Sequence, residues 1–507
     1  MWRKRLLFSL GLICAAGLLA MWLNSGLLAA EAPQIKLSIK GASAGELRPG
    51  LAQATKREKK WVVVVNGVEG KEYDEIASRP ILLGSRRFGT SLVLADESLP
   101  ATLMLNVLGN RVARVERRGE NRLVVLDGVE GKDMDTWGAL AFSPDGKRVA
   151  YAARNGEKWV VVVDGVEGKE YDTWSRYDPL GKEQRPPVFS PDSKRVAYVA
   201  KRAGKWVVVV DGVEGKEYGE VQVPVFSPDG KRVAYAAKNG PKWVAVVDGM
   251  EGKEYDGVRV RIFSPDSQRV AYSAGRGGKV LIVVDGAEGK EYVTIGVDSP
   301  VFSSDSKHVA YGVCLGGGWS QKWAVVVDGV EGKAYEGIEE STPVFSPDSK
   351  HVAYEARRGY DKYVLVVDGV EGKEGGWIGP GTLCFSPDSQ RMAYWASRGK
   401  KVGGVMVDGV EGKEYEGIAA ATPVFSPDSK HVAYGALTGG KFLVVVDGVE
   451  GNGNEFEGFL TVKGSTLVFD SPTQLHAYAL RGKANELVRV EVEISTSAGA
   501  TETSAPK

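Results

Sequence analysis

Gly41-Ala42-Ser43-Ala44-Gly45 has the G-x-S-x-G spacing of a nucleophile elbow. An elbow exposes its serine on a sharp turn between a strand and a helix. Here the surroundings are polar, and Pro49 and Gly50 follow closely, so the motif reads as linker. GVEGK, as at 165–169, lacks the spacing and the Ser/Thr of a phosphate-binding loop. The Asp of VVDG, with Glu167 nearby, offers oxygen ligands, but a calcium loop alternates its ligands and Val166 breaks the series. Asp before Gly is also a standard two-residue hairpin turn, and Asn66 holds the same place in one copy. The Asp of SPD has a carboxylate that can accept a turn N–H. Asp145, Asp164, Asp192, Asp211, Asp229 and Asp248 therefore read as structural turn residues. His308, His351 and His431 fill a place where Arg148, Arg195 and Arg232 stand in other copies. A position that takes either type reads as a solvated strand face, not a metal site. No catalytic residue, metal or cofactor is expected.

The elements that carry these residues repeat. FSPD or a near variant begins at Phe142, Phe189, Phe226, Phe263, Phe302, Phe345, Phe385 and Phe425, at steps of 37 to 47 residues. VVDG(V/M/A)EG keeps pace with it. Eroded copies flank the clear ones, at 101–136 and 467–494. Residues 224–256 parse into four strands. PVFS is the first, and SPDG is a tight turn in which Pro228 presets φ. KRVAYAA is the second, alternating with period two. KWVAVVDG is the third, a nearly unbroken apolar run expected where both faces are buried. KEYDGV, after a glycine-punctuated hairpin, is the fourth. Such a meander cannot bury both faces alone, and a period near 40 residues is the signature of a radial array. The expected fold is an all-β propeller of four-stranded blades, about ten repeat units in one closed ring, with seven to nine blades or two smaller rings as alternatives. The terminal copies are split in a way that lets them share one blade, though a spare strand at 486–494 is left over.

FSPDGKRVAY at 142–151 resembles the WD40-like propeller repeat of TolB and related bacterial envelope proteins. It has neither the WD dipeptide nor the GH pair of the eukaryotic WD40 repeat. The resemblance covers roughly residues 100–480 and implies export to the periplasm or cell surface and protein binding. Residues 31–57 are too short for the separate α/β domain that accompanies the TolB propeller.

Composition agrees with this class. Lys plus Arg and Asp plus Glu are both 65 in 507 residues, and zero net charge argues against nucleic acid as the main partner. The 65 glycines have no collagen period and read as turn residues. Cys14, Cys314 and Cys384 form no disulfide framework; one Cys314–Cys384 bridge stays open if the two Cα atoms approach within about 7 Å. Arg3, Lys4 and Arg5 precede an apolar run, Leu6 to Leu23, as in a signal peptide or an N-terminal anchor. Either way the body is expected outside the cytoplasmic membrane. The expected layout is a leader or anchor at 1–30, a linker at 31–57, the propeller at 58–494 and a disordered tail at 495–507.

Chain direction then separates two ends of each blade. The SPD and DGVEG turns share one end and barely vary. The insertions are placed at the other: TWSRYDPLGKEQRPP (173–187) and 77–100 as fourth-to-first connections, CLGGGWSQK (314–322) and RRGYDK (357–362) as second-to-third connections. Insertions on one face often mark the binding face. They bring Trp174, Arg176, Tyr177, Trp319, Arg357 and Tyr360, residue types enriched in binding hot spots. Lys and Glu of EGKEY read as a solvated hairpin. The expected function is an exported, non-enzymatic scaffold that binds a protein partner through the loop-rich face, touching membrane only through its anchor. The alternatives are a lyase- or lactonase-like enzyme with a site at the central channel, and a structural surface protein.

Overall fold

The computed structural model describes strands at 34–40, 52–57, 60–65, 68–73, 91–94, 101–106, 111–118 and 121–126, and then residues 129–495 apart from 175–185, 297–298, 317–320, 340–342, 360–361, 399–401, 452–454, 461–465 and 482–485. Every regular element among them is a strand. The strands form eleven sheets, and in the complete copies the strand order follows the chain. The chain divides into two compact units. The larger, 41–374 with 460–464, holds eight sheets; the smaller, 1–40 with 375–459 and 465–507, holds three.

The blade at 136–171 shows the plan. Its strands are Thr136–Phe142, Val149–Asn155, Lys158–Val163 and Val166–Tyr171, all antiparallel. Val, Tyr and Trp suit this pleated, two-sided burial. In the third strand of this blade Val160, Val161 and Val162 are all buried. Cores form between neighbouring sheets rather than within one. Val199 and Val208 of one blade pack with Tyr218, Val233, Tyr235, Val244 and Val246, where Tyr218 ends the first blade's chain segment and the rest belong to the next.

The fourth strand lies three residues earlier than the sequence places it. In the 224–256 copy it is Met250–Tyr255, and Gly257 already opens the first strand of the next sheet, Gly257–Phe263. The first strand is often broken in two. Glu220–Val221 and Val225–Phe226 both pair with Val233–Asn239. In five copies the second half opens at proline, whereas the Cys384–Phe385 half is split from the Ile378–Ala396 bridge with Leu383 in that place. PVF opens the second half at Pro187, Pro224, Pro300, Pro343 and Pro423, and those blades are split. TWGALAF and GVRVRIF have no proline, and each runs as one strand with a register shift. Proline has no N–H for the ladder and is tolerated only at strand starts or bulges.

The 31–57 stretch is not a linker throughout. Gln34–Lys40 pairs along its whole length with Glu486–Ser495, from Gln34 opposite Ser495 to Lys40 opposite Arg489. The leftover C-terminal strand is thus the third strand of a terminal sheet, and the N-terminal strand is its fourth. Ala52–Arg57 likewise pairs with Lys60–Val65. The sequence signal was weak because QIKLSIK carries no repeat motif. Residues 496–507 lie outside the described residues. A chain lacking residues 1–40 leaves Glu486–Ser495 as an unpaired edge. Its backbone amides should then exchange with solvent much faster than in the full chain, while amides at 233–247 keep their protection, as read by hydrogen-exchange mass spectrometry.

Candidate functional site

The SPD and DG turns form one locked end. Asp164 and Gly165 sit at φ 52° and 84°, the mirror-image turn that Asp-Gly favours. The Asp164 backbone N–H donates to the Val149 carbonyl, and its side-chain Oδ1 accepts the Val149 N–H at 2.9 Å. Oδ2 accepts Arg148 Nε at 2.8 Å. The same arrangement holds at Asp211 with Arg195 and at Asp248 with Arg232. His308, His351 and His431 replace Arg, with Nδ1 at 2.6 Å from Asp328, Asp368 and Asp447.

This corrects the reading of the Arg/His place as a solvated face. Arg232 also donates Nη1 to the Ser267 and Gln268 carbonyls of the next blade and lies 5.3 Å from the Phe263 ring centre. Such a guanidinium joins two blades through a cation–π contact and charge-assisted bonds. The SPD turns are chained as well. The Asp145 N–H donates to Ser193 Oγ, Asp229 to Ser267 and Asp266 to Ser306, each in the following blade. Within a turn, the Ser hydroxyl donates to the Asp carboxylate: Ser143 to Asp145, Ser190 to Asp192, Ser227 to Asp229. These bonds hold all three carboxyls below the usual aspartate range.

EGKEY is a second inter-blade tie, not merely a solvated hairpin. Lys169 lies 3.2 Å from Glu214, Lys216 2.8 Å from Glu251, and Lys253 3.2 Å from Glu288. Tyr171, Tyr218 and Tyr255 donate to the same three carboxylates at 3.0, 2.7 and 2.9 Å. Each tyrosine also meets the second-strand tyrosine of the next blade edge-to-face, as Tyr218 with Tyr235 at 6.3 Å. Burial, reinforced by the neighbouring carboxylate, drives the Tyr171 and Tyr218 hydroxyls far above the usual phenol range. The second glycine of the motif has a steric role: a Cβ on Gly168 would stand 3.1 Å from the Val161 carbonyl oxygen and 3.4 Å from the Tyr198 hydroxyl.

The six candidate binding residues separate. Trp174 is a core residue, 1% exposed, packed with Tyr171, Tyr198 and Val207 and 6.1 Å from the Trp159 ring. It is therefore not a loop anchor. The sequence reading placed it in a loop, but Thr173–Trp174 is the first half of the next sheet's first strand. Trp174 pairs with Ala200 and Val188 with Ala197. The segment between them therefore leaves from the middle of a first-strand edge, not from a fourth-to-first connection. Arg357 is half-buried on a second strand; Nη2 donates to the Glu336 carbonyl, and Nε is buried without a partner among the described residues. Arg176, Tyr177, Trp319 and Tyr360 lie outside the described residues.

Glu355 was missed. It is 2% exposed, two residues before Arg357 and so on the same strand face. Other copies carry Ala152, Val199, Ala236, Ser273 or Gly312 there, and that break in VAYEARR was the available signal. Cys314 and Cys384 are both free thiols. Cys314 donates to the Gly316 carbonyl, and burial pushes the Cys384 thiol up to about 12. Among the described residues no group of three or more His, Cys, Asp or Glu side chains could hold a metal ion, and no helix is long and apolar enough to cross a membrane.

No protein-family model matches the chain, and no curated protein does. Among solved structures it is similar to a eukaryotic initiation factor, with 14% identity, TM-score 0.38, and coverage of 68% of this chain and 96% of that one. It is similar to the β-propeller domain of the Trilobed protease from Pyrococcus furiosus, with 14% identity, TM-score 0.26, and coverage of 52% and 92%. It is also similar to a putative TolB from Agrobacterium tumefaciens, with 16% identity, TM-score 0.22, and coverage of 42% and 84%.

Two outcomes follow. Trp174→Ala should destabilise the chain by about 3–5 kcal/mol, as for other buried aromatics, in denaturant melts. Acid should loosen the cluster at Glu288, which joins Arg276 of its own blade to Lys253 and Tyr255 of the preceding one. Arg276, donating at 2.8 Å, and then Tyr255 hold Glu288 down to about 2. A carboxyl lowered on folding stabilises fully above its unfolded value, and that contribution disappears as pH falls toward about 2. The melting temperature should therefore drop across this acid window, and Glu288→Gln should show a shallower drop than the parent.

Proposed function

We propose that the chain is an exported, non-enzymatic propeller scaffold that binds a protein partner through the blade edges carrying its unlike segments. The observation that supports this most is a division of labour along each blade. At the turn end, the repeated polar groups are engaged in bonds within a blade or to its neighbour: Asp164 with Val149 and Arg148, Ser193 with Asp145, Arg232 with Ser267 and Gln268. Groups committed in this way to the scaffold offer little that is unique to a ligand. The unlike segments leave from second-to-third connections or from breaks in the first strand, where they interrupt few of these bonds. They carry Arg176, Tyr177, Trp319 and Tyr360, and side chains of these types bury area in hot spots at low entropic cost. Export rests on Arg3, Lys4, Arg5 and the apolar run to Leu23.

The test is a pull-down of the soluble blades from an envelope extract, followed by affinity measurement with the captured protein. Tyr177→Ala and Tyr360→Ala should each weaken that complex by about 1–2 kcal/mol without lowering the melting temperature. A complex indifferent to both, yet lost on substitution of turn-end lysines, would reverse the assignment of ends.

A further inference from the structure

In six copies of the larger unit the turn-end hairpin carries a Val or Met just after Asp-Gly, and it stands in solvent. Val129, Val166 and Val213 are 71% exposed, Met250 73%, Val330 72% and Val370 57%. All six occupy the same repeat position in successive blades of the larger unit, Ala287 filling it in the copy between Met250 and Val330. Scattered exposed apolar residues need no explanation. One per blade at a fixed place is an array, and none of these side chains belongs to the cores between blades.

The adjoining SPD turns place cations outermost. The Lys194 and Lys231 side chains are 82% exposed, and those of Lys307 and Lys350 77%. Their nearest carboxylates, Asp192, Asp229, Asp305 and Asp348, are only 28–35% exposed and are already bonded to a Ser hydroxyl. The charge that projects farthest is therefore positive. An array that recurs from blade to blade has no unique address. It suits a target that is laterally uniform, carries negative charge and accepts shallow apolar insertion.

The N-terminal strand enters from the matching end of its own sheet. Gln34 pairs with Ser495, and the adjacent Ile494 N–H donates to the Thr473 carbonyl in the terminal sheet's counterpart of the SPD turn. Residues 24–33 alone separate Gln34 from the apolar run that ends at Leu23. Even fully extended they span only about 35 Å. A membrane holding that run would lie close to the turn end of the terminal sheet.

We propose that the turn end of the blades docks on an anionic lipid surface, the Val and Met tips entering its interface and the turn lysines lying over the headgroups. Each contact is shallow and weak, and their number supplies the affinity. The proposal does not depend on the partner reading, which uses other edges of the blades, and the two fail separately.

The test uses the full chain with Cys14, Cys314 and Cys384 changed to alanine, reconstituted in vesicles of phosphatidylcholine with about one third phosphatidylglycerol. A bimane probe is placed at Val213→Cys, on a hairpin tip, or at Ala203→Cys, an exposed second-to-third turn residue of the same blade. Val166→Cys and Glu157→Cys give a second pair in another blade. Nitroxide-labelled lipid should quench the Val213 and Val166 probes severalfold more than their counterparts at Ala203 and Glu157. That difference should shrink in phosphatidylcholine alone and at high salt. Equal quenching at both ends, stronger quenching at Ala203 and Glu157, or no response to the anionic lipid would overturn the proposal.

Discussion

The structure depends on one constraint: a sheet with two apolar faces must be covered on both, and each blade does this only through its neighbours. The Asp of the DG turn makes that arrangement repeatable. Its backbone and carboxylate close the hairpin onto the start of the second strand, as Asp164 does at Val149. Its second oxygen orients a cation that reaches across to the next blade. Arg148, Arg195, Arg232, Arg269 and Arg391 all lie 5.3–5.5 Å from the following blade's phenylalanine ring centre. Turn geometry inside a blade thus fixes the angle at which the next one packs.

The outer edge uses a different chemistry for the same purpose. Tyr171, Tyr218, Tyr255 and Tyr415, each closing an EGKEY segment, insert between blades, edge-on to a second tyrosine, with the hydroxyl on the next blade's glutamate. Lysine neutralises that glutamate from outside. An exposed pair of this kind contributes little by itself, but here it closes over buried aromatic area. The glycine just before that lysine cannot be enlarged cheaply, because backbone and a tyrosine hydroxyl both stand within 3.4 Å of where a Cβ would lie, as at Gly168.

Much of this was legible in the sequence because it is periodic. FSPD and VVDG carried the blade period, the hairpin type and the buried third strand. The inter-blade roles of Arg148, Lys169 and Tyr171 were not legible, since their partners lie 43 to 46 residues away and alternating charges look the same whether solvated or bridged. QIKLSIK at 34–40 was missed because pairing with a distant strand leaves no local signature. Trp174 was misplaced for a subtler reason. The chain passes from one blade's last strand to the next blade's first with a single residue between, Asp172, so residues that look like the start of a loop already belong to a core.

That short crossing also decides where variation is tolerated. An insertion between Tyr171 and Thr173 would pull apart neighbouring blades that share a core. One placed at a break in the first strand, after Trp174 and before Val188, leaves both halves paired to the second strand and all inter-blade ties in place. The same repeat that fixes the turn end into a uniform, self-satisfied surface therefore leaves two places free to diverge, the first-strand break and the second-to-third connection. Uniformity at one end of each blade and licence at the other are consequences of the same hydrogen-bond pattern.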